Sequence, residues 1–199
     1  GLVGSEMCIR DRSRADQTRM MSIVTTGAET GYYVDVFRSR KEKGGDKMHD
    51  YFYHNLGQTL TLTAADGSDL NLQPTEELAF AGAHLYAYSY LYDKKVAATA
   101  KDVKATFTID MKDKDGDDIY MNLWMKGEPD REVFTALAPM TEGLSRTPNM
   151  PYNIKEQPTL TFVARQHGEG WNRPFVSIYE PSTKKEPSAI PVSYTHLTL

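Results

Sequence analysis

The densest group of side chains able to hold a metal, move a proton or grip a sugar is His49-Asp50 followed by His54. Imidazole and carboxylate at short spacing suit metal ligation and acid–base work. In an extended segment residues 50, 52 and 54 share one face, so Asp50 and His54 can approach one ligand. His49 then points to the opposite face, which breaks a simple three-ligand site. Three roles stay open: hydrogen bonds to turns and a neighbouring strand, metal binding, and contact with an active site elsewhere in a longer protein. The first needs no further partner, and no metal or cofactor is expected.

Two aromatic groups offer a different chemistry. Tyr86, Tyr88, Tyr90 and Tyr92 alternate, with His84 in phase, so a continuous strand would set all five on one face. Such a row is either a sheet-packing face with hydroxyls at its rim or a platform on which pyranose rings stack. Trp171, with His167 and Arg173 in a glycine-containing loop, is the second saccharide candidate. The residues expected to touch substrate are therefore His54, Tyr88 and Trp171.

Asp113-Lys114-Asp115-Gly116-Asp117-Asp118 invites a calcium reading, since alternating carboxylates suit a hard cation. The register fails: the glycine falls at loop position four, and the twelfth position is Trp124 instead of Glu. A solvated acidic hairpin tip fits better. No glycine-rich phosphate loop, HExxH, nucleophile elbow or Ser/His/Asp order is present, so the chain carries no recognisable self-contained catalyst.

The elements that must position these residues have a period of two. Tyr33 to Phe37, Tyr51 to Tyr53, Glu132 to Leu137, Thr159 to Ala164 and Phe175 to Tyr179 read as short strands. Thr59 to Thr63 and Leu70 to Leu72 flank a turn at Ala65 to Asp69, which predicts one hairpin. Thr106 to Met111, a turn through Lys112 to Asp118, and a return with Ile119, Met121, Leu123 and Met125 on one face predict a second. Pro74 to Ala81 and Ala97 to Val103 are each long enough for a brief helical turn, without a sustained apolar period. Pro139 to Pro158 reads as a long irregular connection. The fold class expected is all-β, an antiparallel β-sandwich.

The ends require separate treatment. Met7-Cys8-Ile9-Arg10-Asp11 can be encoded by codons whose reverse complement reads Val192-Ser193-Tyr194-Thr195-His196. One short DNA element read in both directions accounts for both, and it resembles the mosaic end of a transposon-based sequencing adapter. Residues 1–12 and 192–199 are set aside on that ground. Residues 13–191 remain as a β-sandwich domain cut from a longer gene, incomplete at one or both ends. The sole cysteine, Cys8, leaves with the excluded segment. Two acids and two bases leave with it, so the net charge stays at −4. That balance offers no footprint for nucleic acid. No apolar run approaches the ~20 residues of a membrane-spanning helix.

Two stretches carry a family resemblance. Tyr32 to Arg38, then Gly44-Gly45, then His49-Asp50-Tyr51-Phe52-Tyr53-His54 resembles the "YxVDxFRV-GG-xHDYxxH" passage of heparinase II/III-like polysaccharide lyases, in their C-terminal β-sandwich part. Arg173 to Pro181 is similar to that family's "PFVxVYEP" segment, and Tyr90-Leu91-Tyr92-Asp93 to its "YL-D" stretch. The resemblance implies an N-terminal α/α toroid in cis, absent from this sequence. It implies β-elimination on uronic-acid polysaccharides, with a Tyr or His base and a neutralised carboxylate. It also implies a periplasmic or secreted protein whose catalytic residues lie upstream. His54-Asn55 matches a zinc-binding "HN" element only superficially, so no zinc role is carried over. The expected role of the chain itself is support, without catalysis; the alternative is a non-enzymatic carbohydrate-binding module.

Overall fold

The computed structural model describes residues 2–10, 15–79, 86–111, 116–141 and 156–190, the first of these for the backbone course. The strands are β1 (Leu2–Arg10), β2 (Ala15–Thr25), β3 (Gly31–Lys41), β4 (Met48–Asn55), β5 (Thr59–Ala64) and β6 (Gln73–Pro74). They continue as β7 (Tyr92–Ala98), β8 (Val103–Ile109), β9 (Ile119–Met125), β10 (Arg131–Ala138), β11 (Thr159–His167) and β12 (Gly170–Thr183). A wide sheet runs in the order β1-β2-β3-β12-β9-β8-β5, and a narrow one in the order β4-β11-β10-β7-β6. Every pairing is antiparallel, and the sheets pack face to face as a sandwich.

Alternation explains the strands. In β8, Val103, Ala105 and Phe107 are buried while Lys104 and Thr106 between them face out. β9 pairs with it from Ile109 opposite Ile119 to Val103 opposite Met125. Leu123 and Met125 enter the core, Met121 packs against it, and Ile119 reaches the exposed rim. The second hairpin thus forms, with the expected face of β9 turned toward the core. The main core joins these residues to Phe175 of the same sheet and to Phe162, Ala164 and Tyr51 across the sandwich.

β11 is an exception to alternation, buried from Leu160 to Gln166. It lies inside the narrow sheet, whose outer face is also covered. There Leu78, Leu91, Phe134 and Val163 form a second apolar cluster, with Phe52 and Tyr88 packed against it. A strand covered on both faces reads as a near-continuous apolar run.

Three local expectations are corrected. The turn at Ala65 to Asp69 forms, with Gly67 at φ 84° donating to the Ala64 carbonyl at 2.9 Å. Leu70 to Leu72 do not return as its hairpin strand; β5 pairs with β8 instead, and Leu70 and Leu72 pack onto the core. No helix forms at Pro74, where Gln73–Pro74 pair with β7 and Leu78 is buried; residues 80 and 81 lie outside the described residues. Ala97 to Val103 is a tight crossing between the sheets, tied by the Asp102 carboxylate accepting from Gly127 N at 2.7 Å. Tertiary burial overrode weak local propensity in each case. Most of the Pro139 to Pro158 connection, His84, the 112–115 part of the acidic tip and residues 191–199 lie outside the described residues.

The wide sheet extends past the narrow one. β4 is the edge of the narrow sheet and packs over β3 and β12 through Tyr51. Met21 and Ile23 of β2 lie opposite Asp35 and Tyr33, on the face that forms the interior further along. They and Tyr33 stand 41%, 45% and 40% exposed.

Candidate functional site

The outer face of the narrow sheet gathers Asp50, Phe52 and His54, one above another along β4. Asp50 lies opposite Arg165 of β11. The guanidinium grips the carboxylate with both prongs, Nε to Oδ1 at 2.7 Å and Nη2 to Oδ2 at 2.8 Å. Its Nη1 reaches Glu77 at 3.2 Å, and its carbon stands 5.4 Å from the Phe134 ring centre. Tyr88 donates its hydroxyl to Asp50 Oδ2 at 2.6 Å and sets its ring edge-on against Phe52. The Asp50 bond raises the Arg165 pKa, and burial pushes the Tyr88 phenol well above its usual range. This network clips Glu77 and the turn carrying Tyr88 onto the sheet.

His54 sits two residues along the same face. Its ring stacks on Phe52 at 5.9 Å, and Nδ1 lies 2.8 Å from Thr161 Oγ1 on β11. Burial pulls its pKa below the usual value, favouring neutral imidazole. Phe52 therefore brings His54 and Tyr88 together.

The tyrosine row does not form. Tyr86–Tyr90 make a 3-10 turn, and only Tyr92 begins a strand. With about three residues per turn, positions two apart point in different directions. Tyr88 is half-buried at Asp50, whereas Tyr90 is 62% exposed. The anchor at Asp50 and the buried Leu91 prevail over local alternation.

Trp171 lies elsewhere, where the β11–β12 turn meets the β3–β4 turn. Gly168 at φ 80° donates to the Lys47 carbonyl at 2.9 Å, joining the two turns. Glu169 Oε2 accepts from the amides of Trp171 and Asn172 at 2.6 and 2.9 Å. Burial opposes the charge on Glu169, yet these amides hold its pKa below the usual carboxylate range. Arg38 donates to the Trp171 carbonyl, and the Arg40 guanidinium lies 4.1 Å from the indole ring centre. A cleft of about 390 Å³ opens here, lined chiefly by Arg40, Lys41, Asp46, Glu169, Trp171 and Asn172.

His49 stands behind this cleft, on the face of β4 opposite His54. Nε2 donates to Asp46 Oδ1 at 2.6 Å, and Nδ1 lies 2.8 Å from Ser39 Oγ. Serine, histidine and carboxylate are thus linked, but with the ring nitrogens exchanged relative to a hydrolytic triad, and with Ser39 fully buried. The arrangement ties β3, its turn and β4 together.

A third polar group lies within the sandwich. Asp35, fully buried, receives Arg19 through Nε and Nη2 at 3.0 and 2.6 Å and the Tyr51 hydroxyl at 2.6 Å. Tyr51 also meets Ser177 Oγ at 3.1 Å and the Tyr179 hydroxyl. Burial raises Tyr51 and Tyr179 far above the ordinary phenol value and Tyr53 to about 12. Sequence reasoning did not identify Arg165, Asp35 or Arg40. For Arg165 a signal existed: a lone charge at the end of the apolar run Leu160 to Ala164 needs a partner.

Among the described residues no group of three His, Cys, Asp or Glu side chains is placed to hold a metal ion. Asp117 accepts from Lys185 N at 2.7 Å, and Asp118 pairs with Lys184 at 3.5 Å, so both serve the neighbouring turn. No described helix is long and apolar enough to cross a membrane.

No protein-family model matches the chain. Over 180 residues, 88% of its length, it is 34% identical to an endo-acting ulvan lyase of Formosa agariphila. The matched stretch spans 21% of that relative. This homology relates the chain to the polysaccharide lyases, as a β-sandwich corresponding to about a fifth of such an enzyme.

Proposed function

We propose that the chain is the supporting, non-catalytic β-sandwich of a heparinase II/III-like polysaccharide lyase. The parent enzyme would cleave uronic-acid polysaccharides, ulvan included, by β-elimination, and an α/α toroid in cis would supply its catalytic residues. The homology to an endo-acting ulvan lyase carries this reading. The chemistry of the described side chains supports it. β-Elimination needs a base free to accept a proton and a cation free to neutralise a carboxylate. Tyr51, Tyr88 and Tyr179 instead have raised pKa values and hydrogen-bond within the protein, while Arg19 and Arg165 are held by Asp35 and Asp50. The neutral His54 on the outer face of the narrow sheet stands apart from the exposed Arg40 beside Trp171. In the same reading residues 1–12 and 192–199 derive from sequencing adapter, and the parent is periplasmic or secreted. β1 would then be a foreign strand on the open edge of β2, where unpaired backbone groups accept any extended segment.

The purified chain is expected to release no unsaturated, ultraviolet-absorbing oligosaccharides from ulvan, alginate or heparan sulfate. Their accumulation above a heat-denatured control would overturn the supporting role.

A second reading, a non-enzymatic carbohydrate-binding module, is favoured by the cleft at Trp171. In it Trp171 is the principal contact, with His54 and Tyr88 on the outer face of the narrow sheet as a separate one.

A further inference from the structure

We propose that the Trp171–Arg40 cleft is a subsite for an anionic sugar, a pyranose bearing a carboxylate or a sulfate ester. The proposal rests on the polysaccharide reading above and names the chemistry that one surface would recognise.

The first observation is that the loop is held without the help of the indole or of Arg40. Glu169 fixes the amides of Trp171 and Asn172, Arg38 fixes the Trp171 carbonyl, and Gly168 binds the Lys47 carbonyl. The indole and the Arg40 guanidinium are therefore surplus to the loop's own hydrogen bonding, and both line the cleft.

The second is how Arg40 is presented. Its guanidinium carbon lies 4.1 Å from the indole centre, a stacking distance that restrains the side chain before any ligand arrives. A stacked guanidinium keeps its in-plane N–H donors at its edge, a fork that matches carboxylate and sulfate oxygens. Its ionic contact to Asp16 is a single one at 3.4 Å, with the Arg40 side chain 47% exposed, so an incoming anion can replace it.

The third is local charge. Three carboxylates line the cleft: Asp46 and Glu169 are each engaged through one oxygen, Oδ1 by Lys41 N and His49 and Oε2 by the Trp171 and Asn172 amides, while Glu42 is exposed. The Lys41 ammonium, 3.5 Å from the Gly45 carbonyl, adds positive charge beside the cleft. The anionic group would meet the guanidinium edge, and the adjoining pyranose would cover indole surface.

Affinity electrophoresis of the full chain tests this in gels containing polygalacturonate, dextran sulfate or neutral dextran. The chain carries a net charge of −4, so polyanions repel it overall and retardation requires a local site. Retardation by at least one polyanion, with little effect of dextran, is expected; which polyanion acts separates carboxylate from sulfate recognition. Arg40→Gln and Trp171→Ala should each weaken it about tenfold, the scale of one charge-assisted hydrogen bond or stacked ring. Arg40→Lys should recover only part, because the fork is lost. Lys101→Ala, on a remote exposed turn, should leave migration unchanged, and thermal melts should show every variant folded. Wild-type retardation that survives both cleft substitutions overturns the subsite while leaving polysaccharide binding intact. Equal retardation by dextran overturns the anion preference. No retardation by either polyanion overturns the whole inference, whereas the lyase reading is judged separately by product release.

Discussion

Raising the pH beyond about 10 is expected to unfold this domain, and tyrosine is the cause. An unfolded tyrosine loses its proton near pH 10. Tyr51 and Tyr179, 3% and 6% exposed, hold theirs to far higher pH in the folded state, because burial disfavours the phenolate. Asp35 beside Tyr51 strengthens that effect. Below pH 10 both states are protonated and the contribution to stability is complete. Above it only the unfolded state releases protons, so each such tyrosine removes about 1.4 kcal/mol per pH unit. Two remove roughly 3 kcal/mol per unit, and Tyr53 and Tyr88 add to this until they ionise in turn. Against a typical stability of about 5–15 kcal/mol, a few pH units suffice. Tyrosinate absorbance followed with far-ultraviolet circular dichroism measures it. A subset of the twelve tyrosines should ionise only as the sheet signal disappears. One smooth transition of all of them near pH 10, with the dichroism unchanged, would refute the buried network.

Arg165→Leu is the substitution expected to cost most at the outer face, about 3–5 kcal/mol. Both partners are nearly enclosed, with side-chain exposures of 9% for Arg165 and 7% for Asp50. Removing the cation strands a desolvated carboxylate that retains only the Tyr88 hydroxyl among these contacts. Asp50→Leu should be comparably harmful, since Arg165 would keep only Glu77, a carboxylate 48% exposed. The double replacement should cost far less than the sum, because no buried charge remains. Urea unfolding of the three variants gives this cycle directly. Proteolysis should also become faster near Glu77 and near Tyr86–Tyr90, where the network holds the chain through Glu77 and Tyr88. Single-variant losses below about 1 kcal/mol would mean that the pair behaves like a solvated surface bridge.

Much of the architecture could be read from local pattern because a half-buried strand writes its burial into its own alternation. The β8–β9 hairpin and the shared face of residues 50, 52 and 54 followed from that period alone. The tyrosine row misled for the same reason: its spacing suits a strand, but a distant carboxylate, Asp50, captured one member and buried Leu91 turned the chain. The contacts that define the site join residues far apart in the chain, such as His54 with Thr161 and Arg38 with Trp171, at separations of 107 and 133. No local window contains such pairs. Arg40 showed nothing unusual in sequence, since its significance comes only from the ring beneath it.

The flank on which the wide sheet outruns the narrow one also determines how the molecule ages. Met21 stands 41% exposed there and its neighbour Met20 42% exposed on the opposite face of β2, while Met125 is sealed in the core at 1%. Peroxide attacks thioethers in order of access, and each sulfoxide turns a soft apolar side chain into a polar one. Oxidation would thus reach Met20 and Met21, and the comparably open Met48 and Met140 at 44% and 46% exposed, well before the interior. In a longer protein, the rate at which the Met20 and Met21 sulfurs oxidise would report whether a neighbouring domain shields them.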